Sequence, residues 1–233
     1  MIAGALLMDV AAAFPSVARE CLLRKMREAR IDECLVRWTD SFMQDRRVIM
    51  SLDGQDGEEM AVTTGLPQGS PVSPVLFAIY VANIHQAVED QVEDTRGISF
   101  VDDVTWVAEG YDLDDVMRKL ERCAAVSLEW GERNAVRFET AKTEAILFSR
   151  KRRHRRTQRG VQVGERTYRY SPEETRWLGI FLDSALTLRE NRRHRIGKAR
   201  QAEARLRRIV NQYGVPPGSA RTLSMSLVQG VTA

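Results

Sequence analysis

The stretch at residues 3–10, AGALLMDV, is an unbroken apolar run that halts on a carboxylate. A short apolar run of this kind predicts a buried strand over 4–9, about six residues long. A buried strand obliges the rest of the chain to build a sheet and a core around it. The 233 residues are enough for one substantial core, or for one domain with a smaller appendage. The run is a poor targeting signal, because it lacks a basic leading segment and Asp9 interrupts it. No apolar stretch approaches the roughly 20 residues of a membrane helix, so no membrane is expected among the partners.

Asp9 gains interest from a second acidic position. In ISFVDDVTWV, residues 98–107, apolar and polar positions alternate around Asp102 and Asp103 as in a half-buried hairpin with both carboxylates at a two-residue tip. Like charges side by side repel. Asp103 is also a poor turn residue, since such turns favour Asn-Gly or Asp-Gly with positive φ at both central positions. The near-twin LDDV at 113–116 opens a helical pattern, where acidic residues suit the N-terminus. An Asp-Asp pair alone therefore reads equally as a turn or a cap. If the 4–9 strand pairs beside the 99–108 hairpin, however, Asp9 and Asp102 converge at one end. Three carboxylates without basic partners would need divalent cations with oxygen ligands, and a pair of such ions suits phosphoryl transfer.

Elsewhere the patterns are mostly helical. Helices are expected over SVARECLLRKMREARI, with Ser16 as N-cap, and over DECLVRWTDSFMQD, capped by Asp32. RRVIMSLDGQDGEEMAVTT reads as two strands. GLPQGSPVSP holds two glycines and three prolines in ten residues and is a loop. It lacks the spacing and the Lys-Ser/Thr ending of a P-loop, so it is either a tight loop before a helix or a place where backbone approaches a ligand. Ser73 and Pro74 then start one long helix, VLFAIYVANIHQAVEDQV. A further helix spans 112–134, with Leu113, Val116, Leu120, Cys123 and Leu128 on or near one face. TEAILFSR and RWLGIFLDS each read as a strand, and TLRENRRHRIGKARQAEARLRRIVNQYG as a long basic helix ending at Gly214. The expected fold class is α+β: a split βαβ sheet with helices on one face, followed by a helical, basic segment.

Charge divides the chain sharply. Residues 1–149 carry 15 Lys/Arg against 26 Asp/Glu, and residues 150–233 carry 20 against 6, so balances of −11 and +14 sum to the net +3. A basic half beside an acidic half suggests a polyanion held next to metal chemistry; the run at 150–159 reads equally as a solvated loop. Cys21, Cys34 and Cys123 are odd in number and widely spaced, which points to reduced thiols in an intracellular protein rather than a disulfide scaffold or zinc site. His85, His154 and His194 form no spaced ligand set.

Five stretches in order, LLMDVAAAF, GLPQGSPVSPVLF, FVDDV, AKTEAILF and WLGIFLD, resemble the palm and the start of the thumb of a reverse transcriptase, most similar to those of non-LTR (LINE-type) retrotransposons. The resemblance covers about residues 4–183 and implies a right-hand polymerase palm over 1–183, with residual fingers elements at about 15–64, and a thumb start over 184–233. It implies an RNA-directed DNA polymerase that extends a primer 3′-hydroxyl with dNTPs on an RNA template. Asp9 and Asp102 would bind two Mg²⁺ ions, with Mn²⁺ as a possible substitute, the Val10 carbonyl assisting and Asp103 nearby. Phe14 would sit under the nucleotide sugar and exclude a 2′-hydroxyl, and Gln68 and Gly69 would lie against nucleotide and template. Lys142 would stand near the pyrophosphate, and Trp177, Leu178 and Gly179 would grip the primer end. Arg192, Arg195, Lys198 and Arg200 on the basic helix would track the primer–template backbone.

The sequence departs from the family pattern at Pro15 and Thr140, neither of them a metal ligand. Only eight residues precede Asp9, so the N-terminal fingers are expected to be truncated and the chain to be a fragment of a polyprotein whose remainder is a partner. A nuclear location is what the resemblance implies. The alternatives are a catalytically silent nucleic-acid-binding fragment of the same fold, and an unrelated α+β protein with a basic partner-binding helix.

Overall fold

The computed structural model describes residues 1–151, 154, 157–171 and 174–229. Arg152, Arg153, Arg155 and Arg156, four of the arginines in the basic run 150–159, lie outside the described residues.

The apolar run becomes the middle strand of the main sheet, and it is longer than expected: β1 spans Ile2–Ala11. β5 (Asp103–Gly110) lies antiparallel on one side, in register from Ile2 opposite Gly110 to Asp9 opposite Asp103. β4 (Thr95–Phe100) flanks β5. β7 (Glu144–Phe148) pairs with the other side of β1, and the two-residue β6 (Arg137–Phe138) continues that side at Val10–Ala11. Strand alternation divides the β1 side chains between two faces. Leu6, Met8 and Val10 are buried on the face covered by helices, whereas Leu7 and Asp9 are half-buried on the other. The run is thus apolar on both faces but sealed on only one near its C-terminal end.

Two helices supply that seal. α4 (Asn83–Glu89) packs on β4, and α5 (Leu113–Arg133) packs on β1 and β5, burying Val116, Leu120 and Cys123. Asp112 caps α5, its carboxylate accepting from the Asp115 N–H at 2.8 Å, so the near-twin Asp114–Asp115 occupies the first helical turn as expected. α1 (Arg19–Glu28) has no side-chain cap; Ser16 donates instead to the Ala13 carbonyl at 3.1 Å. α2 (Glu33–Met43) is capped by Asp32, which accepts from the Cys34 N–H at 2.7 Å. The N-cap of α3 (Ser73–Val81) is Val72 and not Ser73, whose hydroxyl donates to the Pro67 carbonyl at 2.6 Å.

The expected long helix after Pro74 is interrupted at Ala82, between α3 and α4. The interruption coincides with an intruding lysine. Lys25, 5% exposed, donates to the Tyr80 carbonyl at 2.5 Å and to Asn83 Oδ1 at 3.0 Å, and its ammonium lies 4.4 Å from the centroid of the Trp130 ring. A carbonyl engaged by an ammonium is a poor acceptor for the next helical turn. Burial is the largest cause that lowers the Lys25 pKa, to about 8. Between that value and the ordinary 10.5, the unfolded chain holds a proton that the folded chain has released, so this contribution to stability rises with pH. Cys123, pushed up to about 11 by burial, acts in the opposite direction. The two are separated by comparing wild type with Lys25→Met in denaturant unfolding. The stability difference should move in favour of wild type by about 2–3 kcal/mol between about pH 7.5 and about pH 10. A flat difference would show that Lys25 keeps its proton throughout.

The remaining elements project from this layer. β2 (Arg46–Leu52) and β3 (Gln55–Val62) form an almost wholly exposed hairpin. β8 (Gly160–Val163) and β9 (Arg166–Arg169) form a second hairpin, with β8 against α5. The stretch read as one strand, RWLGIFLDS, folds back on itself as β10 (Glu174–Trp177) and β11 (Ile180–Asp183). Leu178 (φ 45°) and Gly179 (φ 83°) make the turn, the pair of positive φ values that suits a two-residue hairpin. The basic helix α6 (Arg189–Tyr213) ends at Gly214 in the left-handed conformation, and α7 (Pro217–Ser224) follows.

Candidate active site

The register of β1 and β5 sets the site. Asp9 and Asp103 are direct partners on neighbouring strands, which brings their Cβ atoms to about 5 Å. Burial, then Asp102, then Asp9, push the Asp103 carboxyl above its usual range, while Lys142 opposes them. Lys142 leaves the short turn Thr140–Lys142 and places Nζ 2.8 Å from Asp9 Oδ2; this hydrogen bond is the largest cause raising the lysine pKa. The turn is pinned on both sides. The Glu139 N–H donates to the Asp9 carbonyl at 2.8 Å, and the Tyr168 hydroxyl donates to the Thr140 carbonyl.

The tip of the β4–β5 hairpin sits one residue earlier than the sequence predicts. Phe100 pairs with Asp103, so the central residues are Val101 and Asp102, and positive φ (56°) falls on Val101. Asp103 is a strand residue and Asp102 an exposed turn residue. The Asp102 carbonyl accepts from the Val10 N–H at 2.8 Å, which ties the turn to the end of β1. Val101 holds a conformation that β-branched residues rarely adopt, and such strain gathers at functional sites.

A cleft of about 340 Å³ gathers Asp9, Asp103, Lys142, Trp177 and Leu178. It also includes Thr105, Glu144 and Arg176, which the sequence reading did not single out. Strand periodicity held the missing signal. Thr105 lies two residues from Asp103 on one strand, and Glu144 is the β7 partner of Leu7, two residues from Asp9. Arg176 precedes Trp177 and is recognisable only once the hairpin is known.

The other predicted residues lie outside the lining of this cleft. The Phe14 ring packs edge-on to Phe77, with centroids 5.7 Å apart, and the Phe14 carbonyl accepts from the Leu66 N–H at 2.7 Å. The GLPQG loop is thereby attached to the end of β1, presenting Gln68 and Gly69 (φ 93°) to solvent. Arg192, Lys198 and Arg200 line a groove of about 1260 Å³ along α6, whose wall includes Glu174 and Asp183. Arg195 lines a neighbouring groove shared with Arg192. α6 is fixed to the β10–β11 hairpin: His194 stacks on Phe181 at 3.8 Å and pairs with Glu174 at 2.8 Å.

Among the described residues, no three His, Cys, Asp or Glu side chains gather as ligands of a single ion. Asp9 and Asp103 face one another across the strands, while Asp102 lies on the adjoining turn, from where its charge also acts on Asp103. The donors present are all hard oxygens with charge that Lys142 only partly offsets, which fits Mg²⁺ or Mn²⁺ and does not fit a soft metal. No helix among the described residues is long and apolar enough to cross a membrane.

Residues 3–182 match the model of the family described as reverse transcriptase (RNA-dependent DNA polymerase). The chain is 26% identical over 183 residues to the RNA-directed DNA polymerase from mobile element jockey of Drosophila melanogaster, covering 77% of this chain and 19% of that protein. It is 25% identical over 167 residues to the Pol polyprotein from type-1 retrotransposable element R1 of Nasonia vitripennis, covering 70% and 49%. The chain spans about a fifth of the length of the jockey-type relatives. Among solved structures, telomerase from Candida tropicalis in complex with a fragment of telomeric RNA superposes with a TM-score of 0.55 at 13% identity, over 80% of this chain and 29% of that one. That likeness concerns the fold.

Proposed function

The chain belongs to the reverse transcriptase (RNA-dependent DNA polymerase) family, of the non-LTR retrotransposon type, and on that premise we propose that it performs RNA-directed DNA synthesis, joining dNTPs to a primer 3′-hydroxyl. The observation that supports this reading most is the pairing of Asp9 with Asp103 across β1 and β5, in one cleft with Lys142 and the Trp177–Leu178 turn. Asp9, Asp103, Asp102 and the Val10 carbonyl would hold two Mg²⁺ ions, or Mn²⁺ in their place. Bound ions would activate the attacking hydroxyl and stabilise the leaving oxygen.

The chain's own residues would do the rest. Lys142, protonated at neutral pH, would carry positive charge to the pyrophosphate side of the nucleotide. Phe14 would fill the space that a 2′-hydroxyl needs, and Gln68 and Gly69 would line the nucleotide and template. The turn Trp177, Leu178 and Gly179 would hold the primer end, while Arg192, Arg195, Lys198 and Arg200 contact phosphates without reading sequence. None of these four α6 cations is in an ion pair among the described residues, which leaves them available to phosphates. Residues 1–183 would form the palm, with fingers elements at about 15–64, and 184–233 the start of the thumb. The rest of a polyprotein, an RNA template and a DNA primer would be its partners, and the nucleus its location.

The test is extension of a DNA primer on an RNA template with Mg²⁺ and dNTPs. Wild type should extend the primer and Asp102→Ala should not. Extension that survives the substitution would overturn the assignment of Asp102. If neither protein extends but both bind the duplex, the silent nucleic-acid-binding reading stands instead.

A further inference from the structure

The end of the sheet remote from Asp9 carries a second cleft, of about 740 Å³, bordered by Ile2, Tyr111, Phe148, Arg150, Lys151 and Leu186. Ile2 lies seven residue steps along β1 from Asp9, or about 23 Å. Tyr111, directly after β5, is 89% exposed. Leu186 is 56% exposed and has a φ of 52°, a conformation that is costly for leucine. It does not hang free. The carboxylate of Asp183, itself 8% exposed, accepts from the Ala185 and Thr187 N–H groups and from the Thr187 hydroxyl, all within 3.1 Å. The Ser149 N–H donates to the Ser184 carbonyl at 3.0 Å, fastening this loop to the end of β7. A strained, exposed leucine held by a buried carboxylate is a built wall, and strain of this kind gathers at ligand clamps.

The charges point to the occupant. Arg150 and Lys151 are exposed at the rim, and neither is in an ion pair among the described residues. Among the described residues, Glu109 is the acidic group of the cleft. Ser184 and Ala185 line both this cleft and the groove along α6, so the two adjoin. A ligand with flat ring faces and a phosphate chain matches an exposed aromatic, an apolar wall and two cations together. Only an unpaired strand offers free base faces, since a duplex buries them. We propose that this cleft binds single-stranded nucleic acid, taking an unpaired segment that continues from the α6 groove and stacking a base on Tyr111. This rests on the reading of α6 as a contact to primer–template.

The experiment uses the full chain with three probes: a blunt primer–template duplex, the same duplex with a single-stranded tail of about ten nucleotides bearing 5-iodouracil, and the tail alone. RNA and DNA tails form separate arms and identify the strand. Wild type should bind the tailed duplex about tenfold more tightly than the blunt one, and irradiation should crosslink the tail to Tyr111. Tyr111→Ala should lose the tenfold gain and Tyr111→Phe should keep it, with blunt-duplex binding unchanged in both. Equal affinity of wild type for tailed and blunt duplex overturns the proposal, as does a crosslink that maps away from this cleft or a tail gain that survives Tyr111→Ala. If wild type ignores the blunt duplex yet captures the free tail through Tyr111, the cleft stands and the α6 reading falls.

Discussion

Under the proposed function, Asp9→Ala should lower primer extension at least about a thousandfold while leaving the fold in place. Both halves of the expectation come from where Asp9 sits. Its backbone belongs to the β1 ladder, and its carbonyl accepts from the Glu139 N–H at 2.8 Å, neither of which depends on the side chain. The carboxylate is 20% exposed, and its partner Lys142 is 68% exposed, so their ion pair adds little to stability. Removing the carboxylate takes away one of two facing acids and leaves Lys142 without its partner. Turnover should therefore collapse, with a melting temperature within a few degrees of wild type and duplex binding retained through α6. Steady-state extension, thermal melting and duplex affinity together check it. A variant that melts early yet still extends at a normal rate would mean that Asp9 serves the Lys142 contact and not the chemistry.

Gly65→Ala should cost about 2–4 kcal/mol and shift the melting temperature down by roughly 5–15 °C. Gly65 has a φ of 81°, and a Cβ there would lie 2.7 Å from both the Cα and the carbonyl oxygen of Pro15, with Phe14 O at 2.8 Å. These are backbone atoms and cannot swing aside. The same contact holds the GLPQG loop to the end of β1, through Gly65 N–H to Val17 O at 2.9 Å and Leu66 N–H to Phe14 O at 2.7 Å. Under the proposed function, any shift there moves Phe14 and Gln68 together and weakens discrimination between dNTPs and ribonucleotides. Gly69→Ala is the control. Its φ is 93°, but nothing lies within 4 Å of an added Cβ, so only the conformational cost applies, about 1 kcal/mol. Equal melting temperatures for the two variants would show that the approach to Pro15 can relax.

Much of the architecture was legible from local pattern. The apolar run became the middle strand, Asp32 caps α2, Asp114–Asp115 opens α5, and the basic helix stops at Gly214. Each follows from chemistry within a few residues: a carboxylate beside free N–H groups, or a glycine where φ must be positive. The departures arose where a distant group intervened. Lys25 reaches the Tyr80 carbonyl where the long helix breaks, and Ser73 turns from capping to bond Pro67. RWLGIFLDS reads as one apolar run, because a turn built from Leu178 and Gly179 lacks the usual Asn or Asp before its glycine.

The candidate site divides in the same way. By itself the sequence determined which acids to examine, Asp9 and the Asp102–Asp103 pair, and placed the first at the end of a strand. It also showed that one half of the chain is acidic and the other strongly basic. Only the tertiary structure decided that Asp103, not Asp102, stands opposite Asp9. A two-residue hairpin shifted by one position exchanges the turn residue for the strand residue, and side-chain period two then sends neighbouring residues to different surroundings. The tertiary structure likewise brought Thr105, Glu144 and Arg176 into the cleft and set the α6 groove beside the one at Tyr111. Register and strand order depend on packing between segments far apart in the chain, and no local pattern carries that information.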